Sequence, residues 1–243
     1  LGTAIVFGFC AAGHVVFAIA LFMVRMNSLA ITHKPRPLRH VPGEIMEGFR
    51  YAAAHPGIGP LLFILFVVGL TARGYADLFA GYVDTVFGLD TDAFGLLLSS
   101  VGLGAVLGGL WLAQRGHIAG LTRIFLAYIL VLACALILFT VTENFYLALV
   151  WVFIAGFAQT VAGTGEHTLI QAAVDEHLRG RVVSLYGAVS RGTPALGALA
   201  MGWLGDEIGL RWPIAGGAIL CIGLWAWAYS KRHQLAGALE TPP

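Results

Sequence analysis

An all-α integral membrane fold with seven transmembrane helices is predicted by three observations. Of 243 residues, 58% are hydrophobic and only 11% are charged, where soluble domains carry about 25% charged residues. The apolar residues gather in seven blocks, each able to cross a bilayer as a helix of about 20 residues. Lys and Arg concentrate in alternate connections between those blocks, as orientation in a membrane requires. A mean hydropathy of +0.84 excludes a soluble globule. Fourteen basic and thirteen acidic residues leave a formal charge of +1, so nothing in the balance points to a nucleic-acid partner.

The predicted spans cover residues 3–24, 58–80, 93–113, 121–141, 146–170, 182–204 and 212–230. Continuous apolar runs, in place of ten-residue alternation, select helices over a β-barrel. The first run has no basic residue ahead of it and no cleavage signal, unlike a secretory signal peptide; the chain is expected to begin inside a longer protein. The connection 27–56 is polar and basic, and prolines at 35, 37 and 42 favour extended backbone there. Beyond them, Ile45, Phe49 and Ala52 fall at helical spacing, predicting an amphipathic helix on the cytoplasmic surface.

The remaining spans alternate with short loops, and the charges assign their direction. Arg25, Lys34, Arg36, Arg39, Arg50, Arg115, Arg123, Arg179, Arg181, Lys231 and Arg232 occupy one set of connections, and Arg211 alone the other. The richer side is cytoplasmic by the positive-inside rule, which places the C-terminus in the cytoplasm. Trp111, Tyr146, Trp212 and Tyr229 stand near span ends, where amphipathic rings anchor helices at the interface. Gly104 and Gly108 have the spacing that lets helices approach closely. Cys10, Cys134 and Cys221 lie in separate apolar blocks without CxxC or a nearby ligand histidine, and read as small buried apolar residues.

Ionisable residues inside spans are costly and become functional candidates. Arg73 and Asp77 are four apart in the second span, so on an α-helix they would share a face and pair, as a substrate-binding or gating pair or as a structural ion pair. Arg191 is about nine residues into the sixth span, roughly 14 Å deep and near the midplane. It is therefore a candidate for contacting an anionic or carbonyl-rich ligand or a carboxylate of another part of the protein, or for a structural role between helices. Pro194 follows it and is expected to mark a bend. Glu166 and His167, with Gln159 and Gln171 nearby, lie toward the cytoplasmic end of the fifth span. A carboxylate or imidazole there is a candidate for proton coupling; the alternative for Glu166 is an interfacial carboxylate held by Arg179 or Arg181.

One span, a long basic loop and six further spans match the layout of the second half of a twelve-helix secondary transporter. The segment Asp175-Glu176-His177-Leu178-Arg179-Gly180-Arg181-Val182-Val183-Ser184-Leu185-Tyr186-Gly187 resembles the loop and eleventh helix of major facilitator superfamily exporters. Ser190-Arg191-Gly192, Glu47-Gly48-Phe49-Arg50-Tyr51 and Phe94-Gly95-Leu96-Leu97 extend that resemblance, most closely to the branch of the enterobactin exporter and the macrolide efflux permeases. It implies that 1–25 is the last helix of an N-terminal half, 26–56 the inter-half loop, 57–231 a six-helix half of a major facilitator fold, and 232–243 a cytoplasmic tail. The family's signature loop is degenerate here: Gly109, Arg115 and Gly116 keep its spacing, but Ala113 and Gln114 stand where Asp and Arg are expected.

No phosphate-cradling loop, HExxH, CxxC or nucleophile elbow is present, so neither an enzyme nor a metal site is expected. The resemblance implies proton-coupled efflux of a small amphipathic molecule of the siderophore or drug class, with no cofactor. The expected partners are that small molecule, the lipid bilayer and the missing N-terminal half. An inward-directed permease is the runner-up. A seven-helix receptor or scaffold is a distant third, and Lys34 and Lys231, both outside the spans, exclude a retinal Schiff base.

Overall fold

The computed structural model describes residues 3–23 and 41–240. Arg25, Lys34, Pro35, Arg36, Pro37 and Arg39 lie outside the described residues. The chain divides into two units, Leu1–His40 and Val41–Pro243. The first contains helix α1, Thr3–Met23, whose side chains from Val15 to Met23 are exposed and largely apolar.

The second unit is helical, with no strand among the described residues. It comprises α2 (Val41–Ala54), α3 (Ile58–Thr71), α4 (Phe79–Tyr82), α5 (Thr91–Ala113), α6 (Leu121–Val141), α7 (Phe145–Ala173), α8 (Arg179–Ile208), α9 (Arg211–Ser230) and α10 (Arg232–Leu239). By length and composition, five stretches among the described residues can cross a membrane: Ile58–Phe87, α5, α6, α7 and α9. Helix α8 occupies the sixth predicted span and has 30 residues, but Arg191 and its many small and hydroxyl residues make it less apolar. The protein is an all-α, multi-pass membrane protein.

Several helix starts have a chemical cause. The Asn144 side chain accepts hydrogen bonds from the backbone N–H groups of Tyr146 and Leu147, at 2.9 and 3.2 Å, and caps α7. His55 Nδ1 accepts from Gly57 and Ile58 at 3.1 and 3.2 Å and opens α3 in the same way. Pro42 is the second residue of α2. It does not exclude helix as expected, because first-turn N–H groups need no intrahelical acceptor. Segment 232–243, expected as a tail, instead folds through Leu239 into α10 and buries Leu235 and Leu239. The following carboxylate, Glu240, accepts from the backbone of Gly120 at 2.6 Å and Thr122 at 2.9 Å. A negative charge is thereby set on the positive N-terminal end of α6.

Helix α7 packs along both α5 and α6, α6 along α9, and α3 along α8 and α9. Small residues make this possible. A Cβ on Gly104 of α5 would meet the carbonyl oxygen of Phe153, and one on Gly156 of α7 would meet that of Val101. The two glycines thus bring these backbones into contact, while Gly102 has open space and no such role. Cys221 is buried, with its Sγ 3.2 Å from Thr71 Oγ1. Cys134 is exposed, against expectation, because it lies on the outer face of α6. Trp111, Tyr146, Trp212 and Tyr229 stand exposed near helix ends, as anchors should.

Helix α2 packs on α8 through Gly48, beside Arg181, and through a Glu47–Arg181 ion pair of 2.5 Å. The Asp175 N–H donates to the Tyr51 hydroxyl at 3.3 Å, and Ala52 is buried. Met46 and Phe49 stay exposed, leaving α2 an apolar strip suited to a membrane interface.

Two outcomes follow. Gly156→Leu should destabilise the purified chain by about 1–3 kcal/mol through overpacking, measured against Gly102→Leu, which should be nearly silent. Burial holds the His55 imidazole below its usual value of 6.5, with Asp175 opposing. The unfolded chain then binds the proton first, so His55 contributes stability that is complete above 6.5 and is lost as the pH falls below it. Melting temperature between about pH 8 and about pH 5 should therefore fall less steeply in His55→Asn, which keeps an acceptor but does not titrate.

Candidate functional site

The second span does not continue as α-helix beyond Thr71. Ala72, at φ −137° and ψ −27°, breaks it, and Arg73–Leu78 winds as 3₁₀-helix before α4. Close contact with α8 favours the tighter winding: a Cβ on Gly74 would lie 2.9 Å from the Pro194 oxygen and from the Ala198 nitrogen. At three residues per turn, side chains four apart point about 120° away from one another. The Arg73–Asp77 pair expected from α-helical spacing therefore does not form, and Asp77 is exposed.

Arg73 reaches α7 instead. Its Nη2 donates to Glu166 Oε2 at 3.0 Å, with side chains 11% and 1% exposed. Glu166 is thus buried and held by Arg73, not by Arg179 or Arg181; Arg181 is engaged by Glu47 on α2. A lone charge at such depth would cost several kcal/mol, and pairing makes both tolerable. At 1.5 Å per residue, Glu166 sits about 10 Å from the C-terminal end of α7.

A cleft of about 450 Å³ opens on the Arg73 side of the pair. Helix α7 lines it with Gln159, Thr160, Gly163, Thr164 and His167, and α8 with Tyr186, Ser190 and Pro194, the latter set at the i, i+4 spacing of one helical face. Tyr186 stacks on His167, with ring centroids 4.9 Å apart and planes at 24°, and its hydroxyl donates to the Gly163 carbonyl at 3.3 Å. Gln171 reaches His167 Nε2 at 3.2 Å. The cleft therefore offers a guanidinium, an aromatic stack, an amide and hydroxyls. These groups suit a molecule with both polar and flat apolar parts.

The structure brings together Arg73, Glu166 and His167 from the sequence candidates. It does not bring Arg191 to them: Arg191 is exposed on α8 with Ala188, Ala195 and Leu199, one residue and about 100° from Ser190. Pro194 is accommodated within a continuous α8. Tyr186 and Ser190 were not singled out by sequence; their shared spacing with Pro194 was the available signal. In the degenerate loop, Gly116 adopts φ +64°. Arg115 turns inward, donating to the Ala119 carbonyl at 2.6 Å and to His117 Nδ1 at 3.3 Å. Gly109, Arg115 and Gly116 border a second cavity of about 320 Å³ with Thr164 and Thr168. Among the described residues no cluster of His, Cys, Asp and Glu is suited to a metal ion.

Fold and site together define a helical membrane protein with a charged pair and a polar cleft in its interior. The chain belongs to the transmembrane secretion effector family of the major facilitator superfamily, which matches residues 1–237. It is 26% identical over 223 residues to the enterobactin exporter EntS of Shigella flexneri. Identity is 25% to the proteins of that name from Escherichia coli O139:H28 (strain E24377A / ETEC) and Escherichia coli O9:H4 (strain HS). Each alignment covers 92% of this chain and 51% of the relative, so the chain spans about half the length of the curated relatives it matches.

Removing one partner of the buried pair should cost far more than removing both. Arg73→Leu is expected to destabilise the chain by about 3–5 kcal/mol by stranding Glu166, and Arg73→Leu with Glu166→Leu to recover most of that loss. Thermal denaturation of the singles and the double checks this, and additive losses would contradict it.

Proposed function

We propose that this chain supplies the C-terminal six-helix half, with one preceding helix, of a secondary transporter that exports a small amphipathic molecule across the inner membrane, its C-terminus in the cytoplasm. The observation that carries this reading is the Arg73–Glu166 pair, buried within the bundle at the wall of the polar cleft. A buried ion pair that also borders a cavity can exchange partners, whereas a purely structural pair has nothing to exchange with. The relatives named as enterobactin exporters support export and a siderophore-class cargo, and the Tyr186–His167 stack with the surrounding donors suits a molecule with both flat apolar and polar parts.

In this reading Glu166 carries the coupling proton. While ionised it holds Arg73; once protonated it releases the guanidinium to the cleft, so one proton changes the charge that the cargo meets. His167, stacked on Tyr186 at the cleft wall, completes the polar lining. Arg191, exposed on α8, would in this reading meet the cargo or a carboxylate of the other half. Alternating access requires that half, because two repeats must rock about a shared site. No cofactor is needed, and the energy source is the proton gradient.

The test uses the full-length protein in everted membrane vesicles with enterobactin as the probe. Acid-inside vesicles should accumulate it, and Glu166→Gln should lose gradient-driven accumulation by about a hundredfold, the low end for a missing proton-transfer group, while exchange of cargo without a gradient persists. Wild-type accumulation in Glu166→Gln would overturn the proton reading. Accumulation by intact cells in place of everted vesicles would reverse the direction.

A further inference from the structure

Beside the ion pair, lined by Glu166 as the cleft is not, lies a chamber of about 10 Å³. Helix α7 contributes Gln159, Ala162 and Glu166, a single face by their spacing of three and four. Ile64, Leu65 and Val68 of α3 and Phe125, Ile129 and Leu132 of α6 close the rest with hydrocarbon. Two of these lining residues carry an oxygen without a partner. Glu166 Oε1 and Gln159 Oε1 are both buried and accept no hydrogen bond from any described residue. A buried acceptor left unsatisfied costs about 1–3 kcal/mol, more when it is charged, so two in one chamber call for a common donor.

We propose that this chamber binds one water molecule, which donates its two hydrogens to Glu166 Oε1 and Gln159 Oε1, and that Gln159 is the port through which Glu166 exchanges protons with the cleft. The volume matches a single water, and the two acceptors meet the minimum such a site requires. A metal ion fits less well: hard cations gather about six or more oxygens, two are offered here, and the Arg73 guanidinium lies 3.0 Å from the same carboxylate. Only Arg73 and Gln159 line both the chamber and the cleft. Arg73 is tied to Glu166, so Gln159 is the residue free to swing. When it does, the chamber water accepts a proton from cleft water and passes one of its own to Glu166 Oε1. One proton moves inward and no oxygen is transferred.

The groups able to influence this exchange are few. Arg73 faces Glu166 from the 3₁₀ segment and Tyr186 from α8, and His167 is its neighbour along α7, while the α3 and α6 residues at the chamber are apolar. Cys221 of α9 lies within the field of Arg73. None of them lines the chamber except Arg73. Gln159 is accordingly a positioning residue, acting on Glu166 through the water.

The proposal rests on Glu166 as the proton site, and its test is independent of transport. Infrared difference spectra of the purified chain in lipid nanodiscs, with the Glu166 band assigned by Glu166→Gln, follow its protonation after a pH jump. Gln159→Leu should slow that protonation by about tenfold, the cost of one hydrogen bond in the path, with no change in melting temperature beyond that of Gln159→Met. Gln159→Glu, which restores an oxygen, should recover the rate. Unchanged kinetics in both Gln159→Leu and Gln159→Met would overturn the port. A Glu166 band that shifts with sodium at constant pH would overturn water as the occupant. If Glu166→Gln leaves proton-driven transport intact while Gln159→Leu still slows protonation, the coupling reading fails and the port stands.

Discussion

A charge inside a low-dielectric bundle must be paired, and the architecture around residue 73 follows from meeting that demand. An uninterrupted α-helix through the second span would aim Arg73 along the same face as Asp77. The break at Ala72 and the 3₁₀ turn after it rotate the guanidinium toward α7, where Glu166 is almost fully enclosed. Attraction between the two charges offsets a desolvation cost that either alone would impose. The same interaction fixes the geometry of the cleft, since it holds the polar end of Arg73 at the cleft wall beside Gly163, where a Cβ would already lie 3.4 Å from the guanidinium.

Close packing elsewhere allows such a site to exist in a bundle with little polar glue. In lipid, apolar surface gains nothing by leaving one hydrocarbon environment for another, so helices associate through tight contact between small residues. Gly104 with Phe153, Gly156 with Val101 and Gly197 with Leu70 place backbone against backbone. Several polar contacts fasten the ends: Asn144 caps α7, His55 opens α3, and Glu240 joins the last helix to the first turn of α6. The result is a closely packed set of helices around a cleft whose polar lining comes mainly from two faces, one on α7 and one on α8.

Helix positions were legible in the sequence because hydropathy over twenty residues is a local sum, and α6 and α9 begin and end within a residue of expectation. The candidate site was legible in its members but not in its pairing. Arg73 and Glu166 stood out as ionisable groups in apolar spans, yet they are 93 residues apart, and no local periodicity reports a contact of that range. The nearer Asp77 drew the pairing because helical spacing assumes α geometry, which a 3₁₀ turn enforced by contact with α8 removes. Arg191 stands out in the sequence by its depth, but depth does not fix azimuth, and its face of α8 is not the one that Tyr186 and Ser190 present to the cleft. The packed α10 escaped notice because its sequence is only weakly apolar, and its docking depends on two leucines and a carboxylate meeting partners far back in the chain.

The most direct measurement is a solid-state NMR dipolar recoupling experiment on the chain in lipid, between the ¹⁵N-labelled guanidinium of Arg73 and ¹³C-labelled side-chain carboxyls. Strong dephasing at the Glu166 carboxyl and none at Asp77, with the Glu166 signal assigned by its loss in Glu166→Gln, is the result this account predicts. Coupling of Arg73 to Asp77, with Glu166 uncoupled, would contradict it, because the second span would then continue as α-helix and the cleft would lose its charged wall.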